Sequence, residues 1–397
     1  MMRKHAKSLV SVLAMAVLLV CLCASSLGAP QSTVVVDQWE IPFLNCLTGP
    51  IASIGAYMSW SAHKAADEIN QKGGVKGKPI KIVDLDTGLS PEKAVEQMAK
   101  IVNKSLVALG PVPEACIMAA MPLAVKNGLF SMAASTTYEY AVQFFPYTVA
   151  WHTGSDKTLP PIVAAWAEKQ SGVKQVVQFV EKSGCWPVMA DAHTVGLSSV
   201  GVKTINVEVP TDAVTFGPLV VRALAQKPDG FVLTCMSEKA AKIIMELEKY
   251  GWKDKAKILI FSSADDVSLY TTGGEKLNGC HIYGYLDAEM ETERWKAFKE
   301  AYKKDHGGMD PVSLSTIYYD CVYMIKDALQ NTDVTGDPKK LKEERAAIRE
   351  HIRNIQDFEG VQMSWSMKDG VPSDKGVFLF VIENGKKNYV TYVDAWK

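Results

Sequence analysis

The chain has 397 residues, 48 % of them hydrophobic, with a formal net charge of −1. That balance gives no electrostatic footprint for nucleic acid or an anionic membrane surface. Single hydrophobic cores stop growing at roughly 250–300 residues, so two lobes are expected.

The first residues read as an address. Arg3, Lys4 and Lys7 form a short basic stretch, and Leu9 to Cys23 is apolar apart from Ser11. Small residues Ala24 to Ala29 follow, then Pro30. This order is a secretory signal peptide, assigned to residues 1–29, and its apolar run is shorter than the ~20 residues a spanning helix needs. The cleavage point stays open between Ser26, Gly28 and Ala29. The residues before Cys21 and Cys23 are Val20 and Leu22, not the small residue a lipidation signal carries. Export to the periplasm with removal of the leader is the expectation, and the remaining chain is mildly acidic. Its six cysteines are Cys46, Cys116, Cys185, Cys235, Cys280 and Cys321. None forms a Cys-x-x-Cys pair or neighbours a histidine at ligand spacing, so no metal and no cofactor are expected. Disulfides and buried small thiols both remain open for them.

Past the leader, short β-rich runs alternate with helical patterns. Val34 to Val36 reads as a strand. Ile54, Met58, Ala62, Ala65, Ala66 and Ile69 mark a helix that Gly73-Gly74 closes. Ile80 to Val83 is the next strand. Ser90-Pro91-Glu92 is a helix start, with a capping hydroxyl, proline in the first turn and then an acid. Strand Val107 to Leu109, a helix through Met118 to Val125 and strand Phe130 to Met132 complete a first series. This rhythm predicts a parallel sheet with helices on its faces.

A second series starts near Trp151. It has a helix from Leu159 to Gln170, strands Gln175 to Val180 and Lys203 to Val209, and a helix holding Leu219 to Leu224. Strand Phe231 to Thr234, a helix through Ala240 to Leu247 and strand Lys257 to Phe261 follow. Beyond Gly279 come amphipathic helices over 291–304 and 313–330. The charged stretch Lys339 to Arg353 reads as a solvated helix face. The tail from Phe358 to Val393 reads as β-rich, with turns at Asp369-Gly370 and Asn384-Gly385. No repeat of solenoid period is present. The resulting division is 30–150 plus 281–356 for lobe one and 151–280 plus 357–397 for lobe two.

One stretch is specific in its order. Leu47-Thr48-Gly49-Pro50 opens a small-residue helix that ends in Asp67-Glu68-Ile69-Asn70, followed by Gly73-Gly74-Val75-Lys76-Gly77. The glycines follow a helix and precede a strand, the reverse of a phosphate loop. Ser90 to Ala94, Leu109-Gly110-Pro111, Phe130 to Ser135 and Pro228 to Val232 continue the series. Together these resemble the branched-chain amino-acid-type periplasmic binding proteins, the type I solute-binding components of ABC importers. The resemblance implies two Rossmann-like α/β lobes with parallel-sheet cores, joined by a three-strand hinge crossed near residues 150, 281 and 356. It also implies a small organic solute as ligand, a membrane permease as partner and a monomeric chain.

In such sheets, ligands sit beyond the carboxyl ends of strands. The loops to expect at the site are therefore 47–53, 111–116 and 133–137 in lobe one, with 183–186, 236–237 and 262–266 in lobe two. Amino-acid-binding members hold the ligand carboxylate with a hydroxyl residue in the loop matching Pro111 to Cys116. Here that loop offers Glu114 and Ala115, and a carboxylate at Glu114 repels another. Ala134 and Ser135 keep the family's small-residue-plus-hydroxyl pattern. Asp265 stands near the family's ammonium-binding glutamate, with Ser237 in a neighbouring loop. Trp186 and Tyr285 offer walls for a flat apolar body. Each has a plainer alternative: packing at the lobe edge for Trp186, a cap for Ser135, a cap or turn for Asp265, a solvated loop for Glu114. The ligand classes left open are amino acids and related small acids, amides and aromatic compounds. No Gly-x-Ser-x-Gly, His-Glu-x-x-His or Walker motif is present, so no catalytic residue is assigned and a non-enzyme is expected. A ligand-sensing protein of the same fold is the alternative.

Overall fold

The computed structural model describes residues 33–49, 51–133, 138–151, 155–287, 290–312, 314–372 and 376–393, with backbone only at 155–157. The signal-peptide assignment, Ala134 and Ser135 lie outside the described residues.

The first half builds strands β1 (Trp39–Asn45), β2 (Ile80–Asp86), β3 (Val107–Leu109) and β4 (Phe130–Met132). Between them run helices α1 (Ala52–Gln71), α2 (Pro91–Ile101) and α3 (Glu114–Lys126), and the short α4 (Tyr138–Val142) follows. The four strands form one parallel sheet in the order β2-β1-β3-β4. Next come α5 (Ser155–Lys169), β5 (Gln175–Glu181), α6 (Trp186–Ser199), β6 (Lys203–Val209), α7 (Gly217–Leu224), β7 (Gly230–Thr234) and α8 (Ser237–Lys249). After β8 (Ile258–Ile260), α9 (Val267–Gly273) and β9 (His281–Gly284), three helices return: α10 (Glu293–Asp305), α11 (Ile317–Asn331) and α12 (Leu341–Arg353). The tail holds β10 (Phe358–Glu359), β11 (Ser364–Trp365), β12 (Met367–Lys368), β13 (Val371–Pro372), β14 (Val377–Glu383) and β15 (Lys386–Val393). The second large sheet runs β15-β14-β9-β8-β7-β5-β6, with β14 and β15 antiparallel to their neighbours. The chain is thus an α/β protein of two lobes.

The alternation of apolar strands and amphipathic helices yields these elements as expected, and several details differ. Val34 to Val36 is not a strand; its regular contact is one bond, Val35 N–H to the Thr335 carbonyl at 2.9 Å. The first strand is Trp39–Asn45, disguised by Pro42 in its middle. The fold tolerates that proline because β1 pairs with β3 only at Phe43 and Leu109. Helix α6 escapes a periodicity search because it is buried on several sides, with Trp186, Met189, Ala190, Ala192, His193, Gly196 and Leu197 all covered. A Cβ at Gly196 would lie 2.3 Å from the Pro160 carbonyl oxygen, so glycine permits the close approach of α5 and α6. Both tail turns are two-residue hairpins with positive φ at each centre, 53° and 84° at Asp369-Gly370 and 51° and 74° at Asn384-Gly385.

The lobe boundaries shift. His281–Gly284 pairs with β8 and β14, so it belongs to the second sheet rather than to lobe one. Phe358, Val361, Trp365 and Met367 lie in the core of lobe one, so residues 357–372 leave lobe two. Trp151 and Met367 pack in the core of lobe one, and Leu159 and Val377 in that of lobe two. Tyr285 packs against both cores, as a residue at a crossing must.

Helix α12 is also more than a solvated face. Glu344 and Arg345 are buried. Arg345 donates to the carbonyls of Val102 (2.8 Å), Ser105 (2.6 and 2.9 Å) and Asn127 (2.8 Å), so it satisfies the C-terminal ends of α2 and α3. Glu344 accepts from Thr335 N–H (2.8 Å), Thr335 Oγ1 (2.6 Å) and Gly336 N–H (2.9 Å).

Candidate functional site

Strand order places a switch point between β1 and β3 in lobe one and between β5 and β7 in lobe two. Ligand loops belong at the carboxyl ends of these strands.

In lobe one, β1 ends at Asn45, whose side chain accepts from Cys46 N–H (2.8 Å) and donates to the Gly55 carbonyl (2.8 Å). A Cβ at Gly55 would meet the Cys46 carbonyl oxygen at 1.9 Å, so only glycine lets α1 start this close. Asp86 fixes the following turn by accepting from Leu47 N–H (2.9 Å), Thr48 Oγ1 (2.6 Å) and Gly88 N–H (2.9 Å). Burial pushes its carboxyl up, but these hydrogen bonds outweigh burial and hold it below its ordinary value. Past β3, Gly110 has φ 77°, and a Cβ there would meet the Leu44 carbonyl oxygen at 2.2 Å. Pro113 leads into α3 with Glu114 in its first turn, where the helix dipole favours an acid. Glu114 is half-buried and Ala115 exposed, while Cys116 is covered.

In lobe two, β5 ends at Glu181, which pairs with Lys239 at 2.6 Å and accepts from Met236 N–H at 3.0 Å. Gly184, with φ 57°, turns the chain into α6. Trp186 opens that helix, buried, its ring edge-on to Phe261 at 5.4 Å. Behind it lies a closed polar network. His193 Nε2 meets the Tyr283 hydroxyl at 2.6 Å, and Nδ1 meets Gln178 Oε1 at 2.8 Å. Burial depresses the His193 imidazole to about 3, so it is neutral in the folded protein. Tyr285 is pushed up to about 12 by burial, partly offset by the Ser262 hydroxyl.

The expected ammonium acceptor, Asp265, has both oxygens engaged: Lys387 at 2.5 Å and the Tyr270 hydroxyl at 2.7 Å. The cap in this loop is Asp266, which accepts from Ser268 N–H at 2.6 Å. Ser237 donates to Asp266 at 2.8 Å. Burial raises the Asp266 carboxyl, with those hydrogen bonds opposing. Across the lobe junction, burial and then Asp266 raise the Tyr57 phenol, and burial and then Asp265 raise that of Tyr302. Both tyrosines belong to the core of lobe one. Asp265, Asp266 and Ser237 therefore form part of the junction between lobes, tied down within lobe two.

A second contact crosses the cleft at Glu114. The Tyr140 hydroxyl of lobe one donates to the Gly184 carbonyl of lobe two at 3.4 Å. Burial raises the Tyr140 phenol, and Glu114 and Cys185, one from each lobe, add to the rise. The structure thus brings Glu114, Tyr140, Gly184 and Cys185 together, with Trp186 next in sequence. Tyr285 packs against the core that holds Cys185 and Trp186, and lines a cavity of about 30 Å³ with Trp151, Asp320, Gln362 and Trp365. Tyr140 was not among the expected site residues. Its signal is the Tyr138-Glu139-Tyr140 triplet just after the Ser135 loop. Tyr318 is a further addition: its hydroxyl donates to the Ala133 carbonyl at 2.9 Å, at the root of that loop.

Two α/β lobes and facing loops at both switch points define a two-lobed binding protein. The periplasmic binding protein family matches residues 38–386, and the chain belongs to it. Among curated relatives, the Leu/Ile/Val-binding protein BraC3 of Rhizobium johnstonii is 26 % identical over 46 % of this chain, and the match spans half of that protein. The leucine binding protein LivK of Thermotoga maritima superposes with a TM-score of 0.77 at 22 % identity, covering 89 % of this chain and 98 % of that one. A solute binding protein of an ABC transporter from Rhodopseudomonas palustris, in complex with 3,4-dihydroxy benzoic acid, gives 0.76 at 19 % identity, covering 91 % and 98 %. Members of this family are solute-binding proteins.

Proposed function

We propose that the protein is the extracytoplasmic capture component of an ABC importer, closing its two lobes on one small organic solute and presenting it to a membrane permease. The observation that carries this reading is the Tyr140–Gly184 contact across the cleft, where Glu114 and Cys185 both add to the rise that burial gives the phenol. Closure around a solute removes it from water and lets a few polar groups select it.

The relatives' names point to Leu, Ile and Val, and one solved neighbour holds an aromatic acid. The rim of this chain supports a different balance. Glu114, Asp265 and Asp266 are acids, and the lysine bonded among them, Lys387, is spent on Asp265. With Trp186 and Tyr140 beside Glu114, an amide or an amine-bearing aromatic solute fits better than a simple carboxylate.

A thermal-shift panel of amides, aromatic amines, aromatic acids and branched-chain amino acids tests this, because a ligand that binds only the native state raises the melting temperature. At least one amide or amine is expected to raise it, and Glu114→Gln is expected to weaken that ligand about tenfold or more. A response confined to carboxylates, strengthened by the same substitution, contradicts the ligand class. No response to any class contradicts solute capture.

A further inference from the structure

The site described above leaves Cys46 and Cys116 unused. They are far apart in sequence, yet the lobe-one switch point brings them together. Cys46 follows the end of β1, and Cys116 lies in the first turn of α3. Both thiols reach one hydroxyl, Thr87 Oγ1, at 3.2 Å from Cys46 and 3.9 Å from Cys116. Cys46 donates as well to the Val112 carbonyl at 3.0 Å. Both side chains are fully covered.

We propose that Cys46 and Cys116 form a disulfide when the chain folds outside the cytoplasm, tying the end of β1 to the start of α3 beneath the lobe-one rim. This rests on the reading of the protein as exported, since disulfides persist in oxidising compartments. In the open chain either thiol can ionise and attack first, here Cys46 as its thiolate. It attacks one sulfur of an oxidant disulfide, supplied by a thiol–disulfide exchange protein or by oxidised glutathione. That oxidant's other sulfur leaves as a thiolate and takes a proton. Cys116 then gives up its proton and attacks the Cys46 sulfur, releasing the second oxidant thiol. Two S–H bonds and one S–S bond break in the net reaction, and one S–S bond and two thiols of the oxidant form. Exchange takes place while the chain is still open. Once folded, the covered bond is out of reach of reductants.

The bond acts on the rim. Glu114 lies two residues before Cys116, so fixing the first turn of α3 fixes the position of that carboxylate. The cross-link also closes a long loop, which restricts the unfolded chain.

The test uses the full-length chain exported under its own leader and purified without reductant. Free thiols are alkylated in denaturant, and the protein is digested and mapped by mass spectrometry. The expected result is one peptide pair joined through Cys46 and Cys116. Recovery of both as separately alkylated peptides, or of either joined to another cysteine, overturns the proposal. Cys46→Ser combined with Cys116→Ser is expected to lower the melting temperature by several degrees. Should that variant not fold, the wild-type map still decides. The map and the ligand panel fail independently: a linked pair with no bound solute spares this proposal and sinks the capture reading, and the converse holds.

Discussion

The two lobes handle buried charge differently. In lobe one, the buried ions bond to the backbone: Arg345 to carbonyls at the ends of α2 and α3, and Glu344 to the N–H groups of Thr335 and Gly336. In lobe two, two of the buried carboxylates bond to opposite charges, Asp265 to Lys387 and Glu181 to Lys239, while Asp266 is held by Ser237 and Ser268. Deleting an ion in lobe one orphans uncharged backbone groups. Deleting one member of either lobe-two pair strands a buried charge, which costs more. The difference matters for function, because Asp265 sits where burial and its charge raise the phenol of Tyr302 in lobe one.

The sharpest way to break this comparison is Lys387→Met. It leaves Asp265 buried and unpaired, and a loss of about 3–5 kcal/mol is expected by urea denaturation. Adding Asp265→Asn to that variant is expected to recover part of the loss. Arg345→Met comes next, at about 2–4 kcal/mol, spread over several uncovered carbonyls. If it costs more than Lys387→Met, the contrast between the lobes is wrong.

His193 sharpens the comparison through pH. The unfolded imidazole titrates near 6.5 and the folded one near 3. Between these values the unfolded state binds more protons, so stability falls as pH drops through that window. The slope approaches about 1.4 kcal/mol per pH unit below 6.5, or roughly 2 kcal/mol between pH 7 and 5. His193→Gln is expected to flatten this part of a stability-against-pH curve, and an unchanged slope counts against the role given to His193. The smallest effect is at the Ser90 cap, whose hydroxyl accepts from Lys93 N–H at 3.2 Å. Ser90→Ala is expected to cost about 1 kcal/mol, again by denaturation.

Much of the fold was legible because apolar periodicity and turn chemistry agree locally. Ser90-Pro91-Glu92 starts α2, and the Asp369-Gly370 and Asn384-Gly385 hairpins fall where those dipeptides stand. Elements failed to show where burial erased the period, as in α6, or where a proline masked a strand, as at Pro42. The lobe boundary at residue 281 slipped because a four-residue strand carries little periodicity of its own. The site was less legible. Glu114 and Trp186 are expectations of the strand-end rule, and the Tyr140–Gly184 contact near them has no signal in that rule. Asp265 reads from sequence as an open acceptor. Only the fold brings Lys387 to it, from a strand 122 residues away.

Capture of a solute between the lobes, with Glu114 and Trp186 at the site, is the proposed function. Native mass spectrometry of the exported protein, purified without added ligand, tests it most directly. The expected spectrum shows one small organic molecule retained per chain, lost or diminished in Trp186→Ala. A spectrum of bare protein, with no solute from the panel retained on addition, contradicts it.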